Sequence, residues 1–317
     1  MEFAVSSITE NGLAQAILTN PSGSTQVTIL PEYGAMLHAF TVKTKNGLKN
    51  IIDNYSSADE IKKELSTSFK SSKLSPFACR IPAGKYMYDG KEFEMENKFM
   101  DGTAIHGLLY NKIFKKADSF SDEQKASVAF KYNYKEEDNG YPFNYTCEIR
   151  YTLLQQNTLQ VQTTIISLDD LPIPITDGWH PYFTLGGKLN DWSLYFGAEA
   201  IVEFDEKLIP TGKLLPYNTF NSARLLKDTV LDNCFLLNAD KSHAACTLRN
   251  DSNGLQLNLF PDASYPYLQI YTPPHRQSIA IENLSAAPNA FNNNMGLLML
   301  QPRHTHTFTV HYQVDCK

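Results

Sequence analysis

The 317-residue sequence has no long hydrophobic run and no excess of positive charge. A membrane-spanning helix needs about 18 consecutive apolar residues, and no stretch approaches that length. The first residues, Met1–Ile8, show neither the positive start nor the apolar centre of a secretory signal peptide. With 28 Lys and Arg against 34 Asp and Glu, the formal net charge is −6, whereas proteins that track nucleic-acid phosphates are basic. We therefore expect neither a membrane nor a nucleic acid as partner.

The cysteines do not form the pattern of a disulfide framework. There are five of them, an odd number, and no two are arranged as Cys-x-x-Cys: Cys79, Cys147, Cys234, Cys246 and Cys316. Free thiols in a reducing compartment are the simplest interpretation. The sequence therefore predicts a cytoplasmic protein.

Common signatures of nucleotide and metal chemistry are also missing. The sequence contains no Gly-x-Gly-x-x-Gly, Walker A, Gly-x-Ser-x-Gly or His-Glu-x-x-His motif, so nucleotide binding, serine hydrolysis and zinc protease chemistry have no support. His304, His306 and His311 lie close together in the sequence near the C-terminus. Histidines that face solvent from a strand are ordinary, and we expect no metal site there.

The sequence does contain the pattern of a strand-rich core. Hydrophobic residues make up 42 %, with 17 Tyr and 18 Phe, a composition unlike that of a disordered chain. Apolar and polar residues alternate clearly over 158–165, 255–259 and 308–314, as expected for strands that bury one face. No linker-like tract or repeat divides the chain. We predict an all-β fold, a large antiparallel β-sandwich of two sheets packed face to face, formed as a single domain over residues 1–317.

Local signals predict one tight turn and one helix. Asp89-Gly90 lies between two short alternating runs and predicts a two-residue hairpin turn. The segment Ser57–Leu65 is a short helix candidate, with its first residue as N-cap and Glu60 completing a capping box. The polar residues that follow, Ser66–Lys73, are predicted to form a loop at the rim of the fold.

Three residues look misplaced for a purely structural role. His106 precedes a glycine, His180 lies between large aromatic residues, and Glu282 closes an apolar run on the face opposite Ile279 and Ile281. Taken singly, each has a structural explanation: a hydrogen-bonded histidine or an exposed strand end. Together, two imidazoles and one carboxylate suit general acid–base chemistry on a polyhydroxylated ligand. Separations of 180 − 106 = 74 and 282 − 180 = 102 residues leave their convergence open.

In this order, the segments around these residues resemble the aldose 1-epimerase (galactose mutarotase-like) family. The resemblance extends from about residue 76 to 292 and rests on these segments: Pro76–Ile81 with Gly84–Tyr86, Ile105–Gly107, Trp179–Phe183, Leu231–Phe235, Leu268–Pro274, Ile279–Glu282 and Pro288–Asn292. Their order is more specific than any one of them. Some positions depart from the family pattern: Cys79 stands where an Asn commonly precedes the arginine, and Gln301–Arg303 replaces the Pro-Gly-Glu that is common near the C-terminus.

The resemblance implies a fold, a reaction and roles for five residues. The fold would be a supersandwich with the sugar site on a concave sheet, and the reaction would interconvert the α and β anomers of a free aldose. Glu282 would be the base at the anomeric hydroxyl, His180 the acid at the ring oxygen, and His106 a hydrogen-bonding partner beside that oxygen. Arg80 and Asp232 match positions that bind sugar hydroxyls. No metal or organic cofactor is required, and a monosaccharide is the expected partner of a monomer or homodimer.

The sequence leaves three competing functions open. A hexose 6-phosphate mutarotase would need a basic cluster at the rim of the site, for which the candidates are Lys62, Lys63, Lys70 and Lys73. A solvated loop explains these lysines more simply. A non-catalytic sugar-binding module would keep the fold but has no need of both an acid and a base. A carbohydrate lyase or glycosidase would use two opposed carboxylates, the second of which would be Asp232.

Overall fold

The computed structural model describes residues 2–240 and 242–316, and strands dominate it. Strands contain 51 % of the residues and helices 7 %, which confirms the all-β prediction. Within the described residues, no helix has the length and apolar composition that crossing a membrane requires.

The first sheet is an antiparallel meander of five consecutive strands. In chain order these are β1 (Ala4–Glu10), β2 (Leu13–Thr19), β3 (Thr25–Leu30), β4 (Met36–Thr44) and β5 (Gly47–Asn50). Buried residues of this sheet, among them Val27 and Phe40, belong to the main hydrophobic core. The meander therefore packs against the rest of the described chain through its apolar face.

A helix, α1 (Ala58–Ser68), follows the first sheet. The hydroxyl of Ser57 accepts a hydrogen bond from the amide of Glu60 at 3.2 Å, so the predicted N-cap is confirmed. The Glu60 carboxylate accepts a hydrogen bond from the amide of Ser56 at 2.6 Å. That amide lies one residue before the one expected for a capping box.

The predicted loop over Ser66–Lys73 is wrong at both ends. The helix α1 continues to Ser68 because Ile61 and Leu65, four residues apart, bury one of its faces. At the other end, Lys73 is fully buried in a strand. Polar composition alone suggested a solvated loop, but tertiary contacts fix both ends of the segment.

The remaining strands build two large antiparallel sheets and three short ribbons. The first nine are β6 (Lys73–Leu74), β7 (Arg80–Ile81), β8 (Lys85–Tyr88), β9 (Lys91–Glu94), β10 (Ala104–Ile105), β11 (Lys115–Ser121), β12 (Ala126–Lys135), β13 (Asn144–Leu154) and β14 (Thr158–Ser167). The next nine are β15 (Ile173–Ile175), β16 (Gly178–Trp179), β17 (Tyr182–Phe183), β18 (Ser193–Phe196), β19 (Ala198–Phe204), β20 (Pro210–Pro216), β21 (Arg224–Leu225), β22 (Asp232–Leu237) and β23 (Cys246–Asn250). The last are β24 (Leu255–Pro261), β25 (Tyr267–Tyr271), β26 (Ile279–Leu284), the short helix α2 (Ala290–Asn293), β27 (Leu298–Leu300) and β28 (Thr305–Cys316).

The strand order of the two large sheets is strongly non-local. One sheet has nine strands in the order β11-β12-β13-β14-β28-β24-β23-β18-β21, and the other has eight, β20-β19-β22-β25-β26-β16-β6 with β17 paired to β26. The alternating runs predicted as strands lie in β14, β24 and β28. The predicted hairpin is also confirmed: β8 pairs with β9 across Asp89 and Gly90, whose φ angles are 47° and 72°.

The nine-stranded and eight-stranded sheets pack face to face, as the sequence predicted. Ile279 and Ile281 of β26 lie in the same hydrophobic cluster as Leu159 and Val161 of β14. Side chains alternate between the two faces of a strand, so Glu282 projects from the opposite face of β26. The predicted β-sandwich is confirmed, and the outer face of the eight-stranded sheet is left free to carry a site.

A buried ion pair joins the two sheets beside the short strand β16. The side chains of Lys73 and Asp177 are both fully buried, with Nζ of the lysine 2.6 Å from Oδ1 of the aspartate. The ammonium also donates to the hydroxyl of Thr163 in β14 at 3.1 Å and to the carbonyl of Gly178 at 3.2 Å. It lies 4.5 Å from the ring centroid of Trp179. All three N–H donors of the lysine therefore have a partner.

We predict that Lys73→Met destabilises the protein strongly. The substitution leaves the Asp177 carboxylate buried without its cation, and breaking a buried ion pair in this way typically costs about 3–5 kcal/mol. We expect the free energy of unfolding, measured by urea denaturation at pH 7, to fall by that amount. The control is Lys62→Met, which removes an exposed pair with Asp59 and should leave the stability unchanged. A loss below about 1 kcal/mol for Lys73→Met would show that the pair does not anchor the fold.

Candidate active site

The five residues predicted for the sugar site line one cavity of about 610 Å³. Two come from the ribbon formed by β7 and β10 and three from the eight-stranded sheet, as follows: Arg80 begins β7, His106 directly follows β10, His180 lies between β16 and β17, Asp232 begins β22, and Glu282 lies in β26. The structure thus brings together residues that are up to 202 positions apart (282 − 80). The structure therefore brings His106, His180 and Glu282 together, which the sequence had left open.

His180 and Glu282 are in direct contact on the floor of this cavity. Nε2 of the histidine lies 3.2 Å from Oε1 of the glutamate, and the two side chains are 7 % and 2 % exposed. Two backbone hydrogen bonds fix the histidine: its amide donates to the carbonyl of Ser72 at 3.1 Å, and its carbonyl accepts from the amide of Ser71 at 2.9 Å. The imidazole also stacks on Tyr182, with 5.1 Å between ring centroids. An imidazole and a carboxylate are therefore held in one defined arrangement.

His106 has a backbone conformation that its surroundings enforce. Its φ angle is 60°, in the left-handed region, and a Cβ on the next residue, Gly107, would lie 2.3 Å from the carbonyl oxygen of Ser75. Only glycine fits that close approach, which explains the His-Gly pair in the sequence. The His106 ring lies between those of Phe69 and His180, at centroid distances of 4.7 and 4.9 Å.

Gln269 completes the polar floor and was not among the residues predicted from the sequence. It pairs in register with Glu282 on the neighbouring strand, and its Nε2 donates to Oδ1 of Asp232 at 2.9 Å. Its Oε1 is buried without a partner in the described protein. The sequence signal that could have identified Gln269 is its position as a polar residue inside the apolar run of β25. The aromatic walls of the cavity, Tyr182 and Tyr271, were not predicted as site residues either.

Burial dominates the protonation equilibria of the floor. It raises the pKa of Glu282 well above its ordinary value, which Asp232 raises further and Arg80 opposes. It lowers the pKa of His180 to about 4, and it lowers the pKa of His106 well below the ordinary value, with His180 and Arg80 adding to the effect. The raised pKa of the glutamate and the lowered pKa values of the two histidines each favour the neutral form of the group. Burial therefore opposes the ion pair that the contacting imidazole and carboxylate could otherwise form, and the two groups titrate as a coupled pair.

One group of potential metal ligands is found among the residues that the structure describes. The ligand atoms of Cys79, His106 and Glu282 all lie within 4.8 Å of one another. Metals bind the thiolate form of cysteine, but burial raises the pKa of the Cys79 thiol well above its ordinary value, and Glu282 raises it further. The chemistry of this donor set therefore disfavours a resident metal.

The four lysines considered as phosphate ligands do not cluster at the cavity. Lys73 is engaged in its buried ion pair, and Lys62 and Lys63 lie on the exposed side of α1. Lys70 does line the cavity, but its Nζ lies 2.8 Å from the carboxylate of Asp53. Within the described residues, the basic cluster that a sugar phosphate requires is not formed.

Comparison with known proteins points to one family. The sequence profile of the family "Aldose 1-epimerase" matches residues 15–313. Similar proteins include the uncharacterized protein YihR of Escherichia coli strain K12, 27 % identical over 241 residues (74 % of this chain, 75 % of that protein). The maltose epimerase of Levilactobacillus brevis is 24 % identical over 280 residues (82 % and 80 %). The aldose 1-epimerase of Escherichia coli strain K12 is 23 % identical over 283 residues (83 % and 80 %).

Solved structures support the fold independently of sequence identity. A galactose mutarotase-like protein from Clostridium acetobutylicum superposes with a TM-score of 0.88 at 15 % identity, covering 100 % of this chain and 99 % of its own. At that identity the likeness shows the fold alone. The galactose mutarotase-like sandwich expected from the sequence is confirmed.

We predict that Glu282→Gln stabilises the protein at pH 8. The folded-state pKa of Glu282 lies above its unfolded value, so the folded protein binds the extra proton and loses stability as the pH rises through that window. Glutamine has nearly the same shape as glutamate but does not ionise, so its burial does not cost stability as the pH rises. We expect the free energy of unfolding of the variant to exceed that of the wild type at pH 8, by a margin that grows as the pH rises above the unfolded pKa. Below the unfolded pKa the gain should vanish.

The measurement is urea denaturation at a series of pH values between 4 and 8. The matched control is Glu123→Gln, at an exposed turn, which should show no such pH dependence. A gain that stays constant over this range, or a loss of stability at pH 8, would contradict a raised pKa for Glu282.

Proposed function

The chain belongs to the aldose 1-epimerase family, and on this premise we propose that it is a mutarotase that interconverts the α and β anomers of a free aldohexose. One observation carries the proposal: Nε2 of His180 and Oε1 of Glu282 lie 3.2 Å apart on the floor of an open cavity. Mutarotation needs an acid and a base that reach the same sugar ring. These two groups are close enough to serve the anomeric hydroxyl and the ring oxygen of one sugar.

The ring-opening step uses the pair as carboxylate and imidazolium. The carboxylate of Glu282 takes the proton of the anomeric hydroxyl, and the C1–O5 bond breaks with its electron pair passing to O5. His180 donates a proton to O5, so the products are the open-chain aldehyde, a carboxylic acid and a neutral imidazole. No proton enters from or leaves to solvent in this step.

The ring-closing step reverses these transfers on the other face of the aldehyde. After rotation about C1–C2, His180 takes the proton of the C5 hydroxyl, O5 attacks C1, and the carbonyl oxygen receives the proton of Glu282. The pair thus holds one proton throughout the cycle and only changes its position. The pKa shifts favour the neutral form of each group, so the carboxylate and the imidazolium form at an energetic cost, and ring opening returns them to the favoured neutral pair.

Neighbouring polar groups are assigned to orienting the sugar. His106, packed against His180, supplies a hydrogen bond beside the ring oxygen. Arg80 and Asp232 bind hydroxyl groups, where charge-assisted hydrogen bonds give both strength and direction. Gln269 orients Asp232 by donating a hydrogen bond to its carboxylate. These assignments need no metal or organic cofactor.

A neutral sugar fits this site better than a phosphorylated one. The lysine that lines the cavity, Lys70, is already paired with Asp53, and Glu64 and Asp101 line the same cavity. A doubly charged phosphate would meet these carboxylates without a compensating cluster of cations. The geometry therefore favours the free aldohexose over the hexose 6-phosphate.

A sugar-binding module and a glycosidase or lyase have less support from the geometry. A binding module has no need of an imidazole and a carboxylate in contact, each with a pKa displaced toward its neutral form. A glycosidase or lyase would use Asp232 as a second carboxylate opposed to Glu282, but Asp232 accepts a hydrogen bond from Gln269 and the partner of Glu282 is an imidazole.

We also propose that the chain acts as a single domain over residues 1–317, which the match over residues 15–313 supports.

We predict that loss of either proton-transfer group abolishes turnover. Glu282→Gln and His180→Gln should each lower kcat by about 10²–10⁴, while sugar affinity stays similar because Arg80 and Asp232 are unchanged. Polarimetry of freshly dissolved α-glucose and α-galactose measures the rate, and circular dichroism verifies the fold. His304→Gln, an exposed histidine outside the cavity, is the matched control and should be fully active. An active Glu282→Gln would refute its role as base, and a wild type no faster than buffer would favour the binding module.

We predict a broad bell-shaped pH profile for kcat/KM. Below about pH 4, the lowered pKa of His180, both groups become protonated and Glu282 cannot accept a proton. Above the raised pKa of Glu282 both groups are deprotonated, and no proton is available for the ring oxygen. Activity should therefore be nearly constant between these limits, which are macroscopic values of the pair. Polarimetry corrected for buffer catalysis tests this, and a single limb centred on the ordinary histidine pKa of about 6.5 would contradict it.

A further inference from the structure

One carboxylate behind the cavity floor connects the chain segments that carry His180 and Glu282. Asp53 directly follows the isolated bridge between Ile52 and Phe183. Each of its two carboxylate oxygens accepts one hydrogen bond and its amide donates one, and the three partners belong to three different segments of the chain. Asp53 lies outside the lining of the cavity, so its influence on the floor passes through these partners.

The first bond reaches the segment that holds the backbone of His180. Oδ1 of Asp53 lies 2.8 Å from Nζ of Lys70, and the two side chains are 22 % and 18 % exposed. The next two residues, Ser71 and Ser72, bond the carbonyl and the amide of His180 at 2.9 and 3.1 Å. This segment needs an anchor because Ser71 has a left-handed φ of 55°, which a residue other than glycine keeps only where its surroundings impose it.

The other two bonds reach the strands beside the floor. Oδ2 of Asp53 accepts a hydrogen bond of 2.7 Å from the hydroxyl of Ser278, a fully buried residue that directly precedes β26, the strand of Glu282. The amide of Asp53 donates to the carbonyl of Tyr182 at 2.9 Å, and the ring of Tyr182 stacks on that of His180. A single planar carboxylate therefore joins the segment around His180 to the strand that carries Glu282.

We propose that Asp53 is a positioning residue, which holds His180 and Glu282 at the distance and angle that proton transfer requires. This inference rests on the proposed mutarotase function. Both bonds of its carboxylate are charge-assisted, at 2.7 and 2.8 Å, so they fix direction as well as distance. Two proton-transfer groups that serve one ring are sensitive to such a constraint, because a misplacement of about 1 Å can lower a rate about a hundredfold.

Two variants weaken this connection to different degrees. Asp53→Asn keeps the size of the side chain but removes its charge, and Ser278→Ala removes only the bond to β26. We expect kcat for glucose, measured by polarimetry, to fall about 10- to 100-fold in Asp53→Asn and about two- to tenfold in Ser278→Ala. KM should stay the same, because the proposed sugar-binding residues Arg80 and Asp232 are unchanged.

A second measurement follows the imidazole of His180 itself, because a smaller folded fraction would also lower kcat. Burial lowers the pKa of His180 to about 4, and the titratable groups that face its ring, Glu282, His106 and Tyr182, stay in place in both variants. A loosened connection admits water to the ring. The midpoint of its NMR titration, assigned with His180→Gln, should therefore rise in Asp53→Asn from about 4 toward the ordinary value of about 6.5. A smaller folded fraction would leave this midpoint unchanged.

The matched control is Asp170→Asn. It breaks an exposed pair with Arg303 that has the same length, 2.8 Å, and it should equal the wild type in kcat and in the titration midpoint. If Asp53→Asn does not fold, Ser278→Ala decides by the same two measurements, with a smaller shift in the same direction as the supporting result.

The outcomes separate this inference from the proposed function. If the wild type turns over glucose but Asp53→Asn keeps its kcat, or loses activity with an unchanged midpoint, Asp53 does not position the pair and the mutarotase function stands. If the wild type turns over neither glucose nor galactose, the proposed function fails and the titration alone decides. A raised midpoint in Asp53→Asn then supports the positioning of His180, and an unchanged midpoint overturns it.

Discussion

The contact between His180 and Glu282 is the constraint on which the rest of the site depends. An imidazole and a carboxylate that touch in a buried place cannot both be charged without desolvation cost, and each has its pKa moved toward the neutral form. Holding the two groups there costs the fold stability, and groups with displaced pKa values are often found at active sites.

The fold supplies this constraint through strands of very different length. Glu282 lies on a six-residue strand anchored by the core-facing Ile279 and Ile281. His180 follows the two-residue strand β16, which has little hydrogen bonding of its own. The buried Lys73–Asp177 pair compensates: it binds the backbone of β16, the aromatic ring beside it and the opposite sheet. A buried charged network thus anchors the short strand that precedes His180.

The sequence predicted the strands and turns that near neighbours along the chain determine. It did not predict the contacts that depend on the order of strands in the sheets. Period-two alternation identified β14, β24 and β28, and the Asp89-Gly90 pair identified a hairpin, because these signals act between near neighbours. Strand β26 lies between β25 and β16, which come from distant parts of the chain, so no spacing could place His180 beside Glu282. The burial of Lys73 could not be predicted from its polar neighbours, because its partner, Asp177, is 104 residues away. The family resemblance, rather than the pattern, connected the site residues.

The unpartnered atoms of the floor connect the cost of the site to its ligand. Nδ1 of His106, Oε1 of Gln269 and Oε2 of Glu282 are buried and find no partner in the described protein, and such groups typically cost about 1–3 kcal/mol each when nothing pairs with them. A polar ligand that made these hydrogen bonds would recover that cost. A sugar ring offers several hydroxyl donors and acceptors at fixed spacing, whereas an apolar ligand would leave every one of these atoms unpaired. The polar floor therefore favours a polyhydroxylated ligand over an apolar one, as the proposed function requires.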